Sequence, residues 1–169
     1  MRRPDQQTLE ALAGQVGALL LANGQRLATA ESCTGGWVAQ CLTAIAGSSN
    51  WFERGFITYS NEAKNEMLGV GLDTLHAQGA VSEATATAMA AGALAGSHAD
   101  WALAITGVAG PGGGSPDKPV GMVCFAWAGG DGRIASDTRH FSGDREAVRA
   151  QAVAHALSGL LERARCGIA

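Results

Sequence analysis

The sequence predicts a three-layer α/β/α domain on a mixed, mainly parallel sheet with a late antiparallel hairpin. Three observations predict it. Helical and strand patterns alternate along the chain, as crossover connections between neighbouring strands require. Of the 169 residues, 47% are hydrophobic and 16% charged, enough apolar surface for a single domain over residues 1–169. A Gly129-Gly130-Asp131-Gly132 signal separates two late strand patterns, the mark of a tight hairpin.

The elements follow in order. Leu9, Leu12, Val16, Leu19 and Leu20 recur at helical spacing over 6–22, and Asn23-Gly24 supplies the stop. "RLATAES" (26–32) reads as a short strand. Residues 35–46 read as a helix with Trp37, Val38, Cys41, Leu42 and Ile45 on one face. "GSSNW" is a turn, and "ERGFITYS" (53–60) alternates like a strand. "NEAKNEMLGV" (61–70) is a short helix begun by an asparagine cap, and Ser82 caps an alanine-rich helix to about residue 97. "DWALAIT" (100–106) is a buried strand. The Gly and Pro content of 107–119 forbids regular structure there. "VGMVCFAWA" and "RIASDTRHF" are the hairpin strands, and a last helix covers about 144–163.

A net charge of −3 without a basic block argues against strong electrostatic binding to nucleic acid. No apolar run has the length to cross a bilayer, and the start of the chain does not read as a signal peptide. Cys33, Cys41, Cys124 and Cys166 lack metal-ligand spacing, and free thiols in a cytoplasmic protein are the simplest account. The histidines His76, His98, His140 and His155 form neither a metal pattern nor a Ser/His/Asp set.

In open α/β sheets, ligands bind beyond the carboxyl ends of the strands. Three segments fall there: "ESCTGG", "TYSNEAK" and "TGVAGPGGG". In the first, a hydroxyl at a helix start faces unpaired N–H groups and the positive end of the helix dipole. Ser32 and Thr34 are therefore either helix caps or parts of a site for a phosphate or an oxyanion. Gly35 and Gly36 allow close approach of a ligand to the backbone. Cys33 is a rival nucleophile, since a helix N-terminus lowers a thiol pKa, or a small packing residue. In the second, an ideal helix numbered from Ala63 places Lys64 at about 100°, between Met67 at about 40° and Leu68 at about 140°. A lysine inside an apolar stripe loses solvation, its pKa falls, and it can act as a base toward a serine. The alternative is a snorkelling lysine. Tyr59 either orients the site or is an ordinary strand-end aromatic. The third segment offers many backbone N–H groups, as a phosphate cradle or a mobile loop. Lys118 beside it either binds an anion or is solvated. Arg145, in a first helical turn, opposes the helix dipole and so calls for another partner, an anion or a nearby acid.

In order along the chain, "AESCTGG", "YSNEAKNEMLGV", "GAVSEATATAMA", "AITGVAGPGGG", "KPVG" and "FSGDR" resemble the CinA C-terminal domain family. The likeness runs from about residue 6 to 163. Enzymatic members of that family are nicotinamide mononucleotide (NMN) amidohydrolases, and the resemblance implies deamidation of NMN to nicotinic acid mononucleotide without metal or organic cofactor. Carried over, the nucleophile falls on Ser32, the base on Lys64, and Tyr59 beside them. Thr106 and Arg145 fall at the substrate site. Glu31, Cys33, Thr34, Gly35 and Gly36, with Gly107, Gly110, Gly112 and Gly113, are expected to line it too, with N–H groups from Thr34 to Gly36 holding the oxyanion. Val108 and Met122 depart from the family's usual isoleucine and small polar residue. No counterpart of the larger N-terminal domain of full-length CinA proteins is present, which points to the stand-alone amidase form. A non-catalytic nucleotide-binding or regulatory module and an amidase of another substrate are the alternatives. Small-residue helices such as 82–97 either pack on a partner subunit, making a homodimer, or pack only on the sheet.

Overall fold

The structure is a computed structural model and describes residues 2–166, the side chain of Cys166 excepted. The thiol expected at Cys166, residue 1 and residues 167–169 lie outside the described residues; Cys33, Cys41 and Cys124 are free thiols.

Helix α1 (Gln6–Asn23) starts at Asp5, whose carboxylate accepts the Thr8 N–H, and stops where Gly24 turns left-handed. Strand β1 (Leu27–Glu31) leads through a glycine turn to α2 (Trp37–Thr43). A 3-10 turn at Ser48–Asn50 precedes β2 (Phe52–Ile57). Three helices follow, α3 (Asn61–Leu68), α4 (Leu72–Gln78) and α5 (Glu83–Ala95), then β3 (Trp101–Gly107), β4 (Met122–Gly129), β5 (Ile134–His140) and α6 (Arg145–Cys166).

Several boundaries differ from the sequence expectation for local reasons. Gly35 and Gly36 take φ of 59° and 100°, which keeps α2 from starting before Trp37. The cap of α3 is Ser60, which accepts the Ala63 N–H, and Asn61 is already helical. Helix α4 had no counterpart in the sequence pattern: Leu75 alone of its seven residues is buried, too little to show a period.

The sheet order is β2-β1-β3-β4-β5. β1 pairs in parallel with β2 and β3, while β4 is antiparallel to β3 and β5. The pairings thus divide evenly, although four of the five strands run in one direction. From β1 the chain crosses one way to β2 and then back past β1 to β3. Right-handed crossovers in opposite directions place their helices on opposite faces. Hence α2 joins the core of α1 and α6, while α3, α4 and α5 cover the other face. The reversal of strand order leaves a crevice beyond the carboxyl ends of β1 and β3, the usual ligand position in such sheets.

Strand alternation makes the two faces unequal. Leu27, Trp101, Leu103, Ile105, Val123, Phe125 and Trp127 pack under α1 and α6. Ala28, Ala30, Ala102, Ala104, Ala126 and Ala128 face α5, which answers with Ala86, Met89, Ala90 and Ala93. Small residues on both sides let helix and sheet approach closely.

Gly92 of α5 lies against the end of α3. A Cβ there would collide with the Leu68 carbonyl group, its carbon only 2.7 Å away. Gly92→Ala is therefore expected to cost about 2 kcal/mol despite alanine's better helix propensity. Because α3 carries Lys64, turnover should fall with it. Urea denaturation and steady-state rates test this; an unchanged midpoint would rule out the tight contact.

Candidate active site

Glu31 and Ser32 are neighbours in sequence but belong to opposite faces. The β1 ladder continues through Ser32, whose N–H donates to the Ile105 carbonyl at 3.0 Å. Period-two alternation then turns Glu31 toward α2 and Ser32 toward α3.

On the α3 side, Lys64 Nζ lies 3.1 Å from Ser32 Oγ and donates to the Thr58 carbonyl oxygen at 3.0 Å. Lys64 is 1% exposed and Ser32 8%. Snorkelling is excluded by that burial. Desolvation is the main influence on the amine and pulls its pKa below 10.5, while the nearby Cys33 acts weakly the other way. The angular count placed Lys64 correctly with Leu68, but Met67, on the other flank of the expected stripe, is 49% exposed. The buried arc of this two-turn helix is narrower than the apolar pattern.

On the opposite side, the Glu31 carboxylate accepts the Thr34 hydroxyl at 2.7 Å and the N–H groups of Val38 and Ala39 at 2.9 and 3.1 Å. Glu31, rather than Ser32 or Thr34, serves the start of α2. Glu31, Thr34, Gly35 and Gly36 are thus not at the serine's cavity; the last three line a separate cavity of about 440 Å3 with Trp37 and Arg149. The Gly35 N–H donates to the Ser32 carbonyl at 3.0 Å, so it is not available to an oxyanion. Glu31→Gln replaces one accepting oxygen by an amide that faces N–H donors. A loss of roughly 2 kcal/mol is expected, read as an earlier denaturation midpoint; no loss would mean the carboxylate is dispensable to the turn.

Burial pushes the Cys33 thiol up to about 12. The expected lowering by a helix N-terminus does not occur, because α2 begins four residues later and the thiol is sealed from water.

Ser32, Cys33 and Lys64 line a cavity of about 300 Å3 together with Tyr59, Thr106, Gly107, Gly110, Gly112, Gly113 and Arg145. Sequence reasoning missed Asn61, Ala80, Val81, Val108 and Ala109, which complete it. Tyr59, 61% exposed, stands at the rim. Its hydroxyl accepts from Arg145 at 2.9 Å, and the same guanidinium donates to the Gly110 carbonyl at 2.7 Å. Tyr59 forms no hydrogen bond with Ser32 or Lys64. The Thr106 hydroxyl donates to the Ala80 carbonyl at 2.7 Å and so fastens the α4–α5 turn as one wall. Lys118 donates to the Gln78 carbonyl, outside the cavity. Arg145 is the guanidinium cation of the lining, beside the Lys64 amine, and no acid lines the cavity. Such a cavity suits an anion.

Arg149 also escaped the sequence reading. Its Nε donates to the Cys33 carbonyl and its Nη2 to the Thr34 carbonyl, both at 3.0 Å. The signal available was its position one turn after Arg145, on the same helix face.

Among the described residues no helix is long and apolar enough to cross a membrane, and no group of three His, Cys, Asp or Glu could hold a metal ion.

A hydroxyl paired with a buried amine whose pKa is lowered by desolvation, at the reversal point of an open α/β sheet, places this chain with α/β domains built for chemistry on an anionic ligand. Residues 9–164 match the CinA C-terminal domain, and the chain belongs to that family. It is 56% identical over 155 residues to nicotinamide-nucleotide amidohydrolase PncC of Escherichia coli (strain K12), covering 92% of this chain and 94% of that protein. The PncC protein of Enterobacter agglomerans is 53% identical, covering 90% and 93%. The crystal structure of competence/damage inducible protein CihA from Agrobacterium tumefaciens superposes with a TM-score of 0.90 at 45% identity, covering 96% of this chain and 98% of that one.

Proposed function

We propose that this protein is a single-domain amidohydrolase that converts NMN to nicotinic acid mononucleotide and ammonia through a serine–lysine acyl-enzyme. The observation that carries the mechanism is the 3.1 Å approach of a buried Lys64 amine to Ser32 Oγ. A binding module has no need of a buried amine at hydrogen-bond distance from a serine hydroxyl. The PncC relatives support the substrate.

Neutral Lys64 takes the Ser32 hydroxyl proton, and Oγ attacks the carboxamide carbon. The Thr58 carbonyl holds the amine in place during the transfer. The resulting ammonium donates its proton to the leaving amino group, which departs as ammonia. Water enters and Lys64 takes its proton as the oxygen attacks the acyl carbon; the C–Oγ bond breaks, and the Lys64 ammonium returns the proton to Ser32 Oγ, releasing the acid and restoring neutral Lys64. For the oxyanion, the Cys33 N–H replaces the donors expected from Thr34 to Gly36. The Ser32 carbonyl is held inside the turn by Gly35, and a planar trans peptide then points the Cys33 N–H outward. Cys33 lines the same cavity as Ser32. Arg145 and the glycine loop 107–113 receive the ribose phosphate, with Tyr59 holding the guanidinium. Glu31 and Thr34 take no part in binding.

The reaction belongs to pyridine nucleotide salvage in the cytoplasm, within NAD metabolism. A homodimer through α5 would use its outward side, where Ala84, Ala91 and Ala95 are exposed, since Ala86, Met89, Ala90 and Ala93 pack on the sheet.

Release of ammonia from NMN by the purified protein, with the acid nucleotide appearing in equal amount, tests the reading. NMN bound but unchanged would favour the nucleotide-binding module. Neither binding nor turnover would point to an amidase of another substrate.

The pH dependence has a definite sign. Protonated Lys64 cannot accept a proton, so kcat/KM should rise with pH to a plateau, its midpoint below 10.5. Between the folded pKa and 10.5 the unfolded chain binds the extra proton, so this residue makes stability rise with pH across that window. A flat profile from pH 6 to 10 would remove lysine as the base.

A further inference from the structure

Every carbonyl from Glu31 to Thr34, around the nucleophile turn, accepts a hydrogen bond. The Glu31 carbonyl accepts the Thr58 N–H at 2.9 Å, and the Ser32 carbonyl the Gly35 N–H at 3.0 Å. The Cys33 and Thr34 carbonyls accept from Arg149, the latter also from the Trp37 N–H at 3.0 Å. Four successive carbonyls are therefore fixed. Among the described residues the Cys33 carbonyl is held by Arg149 alone, 116 residues away, while the Thr34 carbonyl shares Arg149, 115 residues away, with the local Trp37 N–H. The guanidinium is itself stacked 5.3 Å from the centre of the Trp37 ring, at the first residue of α2. Its fork matches two adjacent carbonyls, which a lysine's point charge cannot do.

We infer that Arg149 is a positioning residue for the deamidation reaction: bridging the Cys33 and Thr34 carbonyls, it fixes the turn that aims Ser32 Oγ at Lys64 and the Cys33 N–H at the oxyanion. This rests on the serine–lysine reading above. Arg149 does not line the Ser32 cavity and does not touch substrate; it faces the separate cavity behind the turn. Holding both carbonyls away from the catalytic side keeps the adjoining peptide planes from rotating as negative charge develops. No reorganisation is then needed during the reaction, which is where preorganised donors act. Loss of the clamp should affect the transition state and leave ground-state binding alone.

The test compares wild type with Arg149→Met, Arg149→Lys and Arg149→Ala, each rate normalised to folded protein by circular dichroism. Arg163→Met, a same-helix arginine lying over Trp127 far from the turn, is the control. Arg149→Met should lower kcat about 100-fold. KM should stay within about threefold, since binding groups are untouched. Arg149→Lys should fall between, and millimolar guanidinium should restore part of the Arg149→Ala rate through the open rear cavity. The pH midpoint set by Lys64 should not move. A purely structural arginine would lower the folded fraction without lowering kcat per folded molecule, and that result overturns the inference. So does a kcat in Arg149→Met like that of Arg163→Met. A second readout needs no NMN: the rate at which a fluorophosphonate labels Ser32, expected to slow about as much as kcat. If wild type labels but does not deamidate NMN, the substrate reading fails, and the labelling rates alone decide the arginine's role. If wild type neither turns over nor labels, the serine–lysine reading and this inference fall together.

Discussion

Ser32→Ala is expected to abolish deamidation of NMN, with kcat falling by roughly four to six orders of magnitude. No neighbouring group can take over. The Cys33 thiol is pushed up to about 12 by burial and stays protonated. The Thr34 hydroxyl is committed to Glu31. Ser32 Oγ hydrogen-bonds the Lys64 amine and, among the described residues, no other group. The variant should therefore fold normally, because the backbone bonds of the turn and the lysine's bond to Thr58 survive. NMN affinity should change little, as Arg145 and the glycine loop 107–113, proposed to receive the phosphate, are untouched. Ammonia release by single turnover and NMN binding by calorimetry measure the two halves. A kcat within tenfold of wild type would eliminate a serine acyl-enzyme.

Lys64→Met should be as severe for activity and opposite in its effect on stability. Methionine is close to lysine in length and apolar. It fills the space beside Leu68 without burying an amine that desolvation disfavours in its charged form. The substitution forfeits the bonds to Ser32 and Thr58, which offsets part of the gain. A net stabilisation of about 1 kcal/mol at neutral pH is expected, typical when an active-site compromise is relieved. The gain should shrink toward pH 10.5, where the lysine of the unfolded wild type also loses its charge. Ser32→Ala with Lys64→Met should be no slower than either alone, because the two groups act as one unit. Denaturation of wild type and variant at two pH values checks the sign. A variant less stable than wild type at pH 7 would show that the buried amine is net stabilising, contrary to its assigned cost.

Helix and strand positions were readable because their causes are local. Ser82 caps α5 by a bond to a residue three positions on, and Gly24 ends α1 in the left-handed region, whereas the α3 cap fell on Ser60 rather than the expected asparagine. The same local logic failed at α4, whose single buried residue carries no period. It also misjudged the residues around Ser32. "ESCTGG" read as one ligand-binding segment, whereas Glu31, Thr34, Gly35 and Gly36 build the turn from behind and only Ser32 and Cys33 face the cavity. Alternation along β1 carried part of that answer, but which face holds the site depends on where α3 lands.

By itself, the sequence determined a mixed α/β sheet, a lysine placed within the apolar stripe of a short helix, and hydroxyls and glycines at strand ends. These follow from spacing, capping and backbone sterics, which act over a few residues. Only the tertiary structure decided that Ser32 meets Lys64, that Tyr59 serves Arg145 rather than the pair, that Thr106 fastens a wall, and that Arg149 holds the turn. Those contacts join residues 26 to 116 positions apart. They exist because the chain reverses its strand order between β1 and β3 and packs large and small side chains on opposite faces of the sheet. No local period encodes that choice; it is made by the burial of the whole domain.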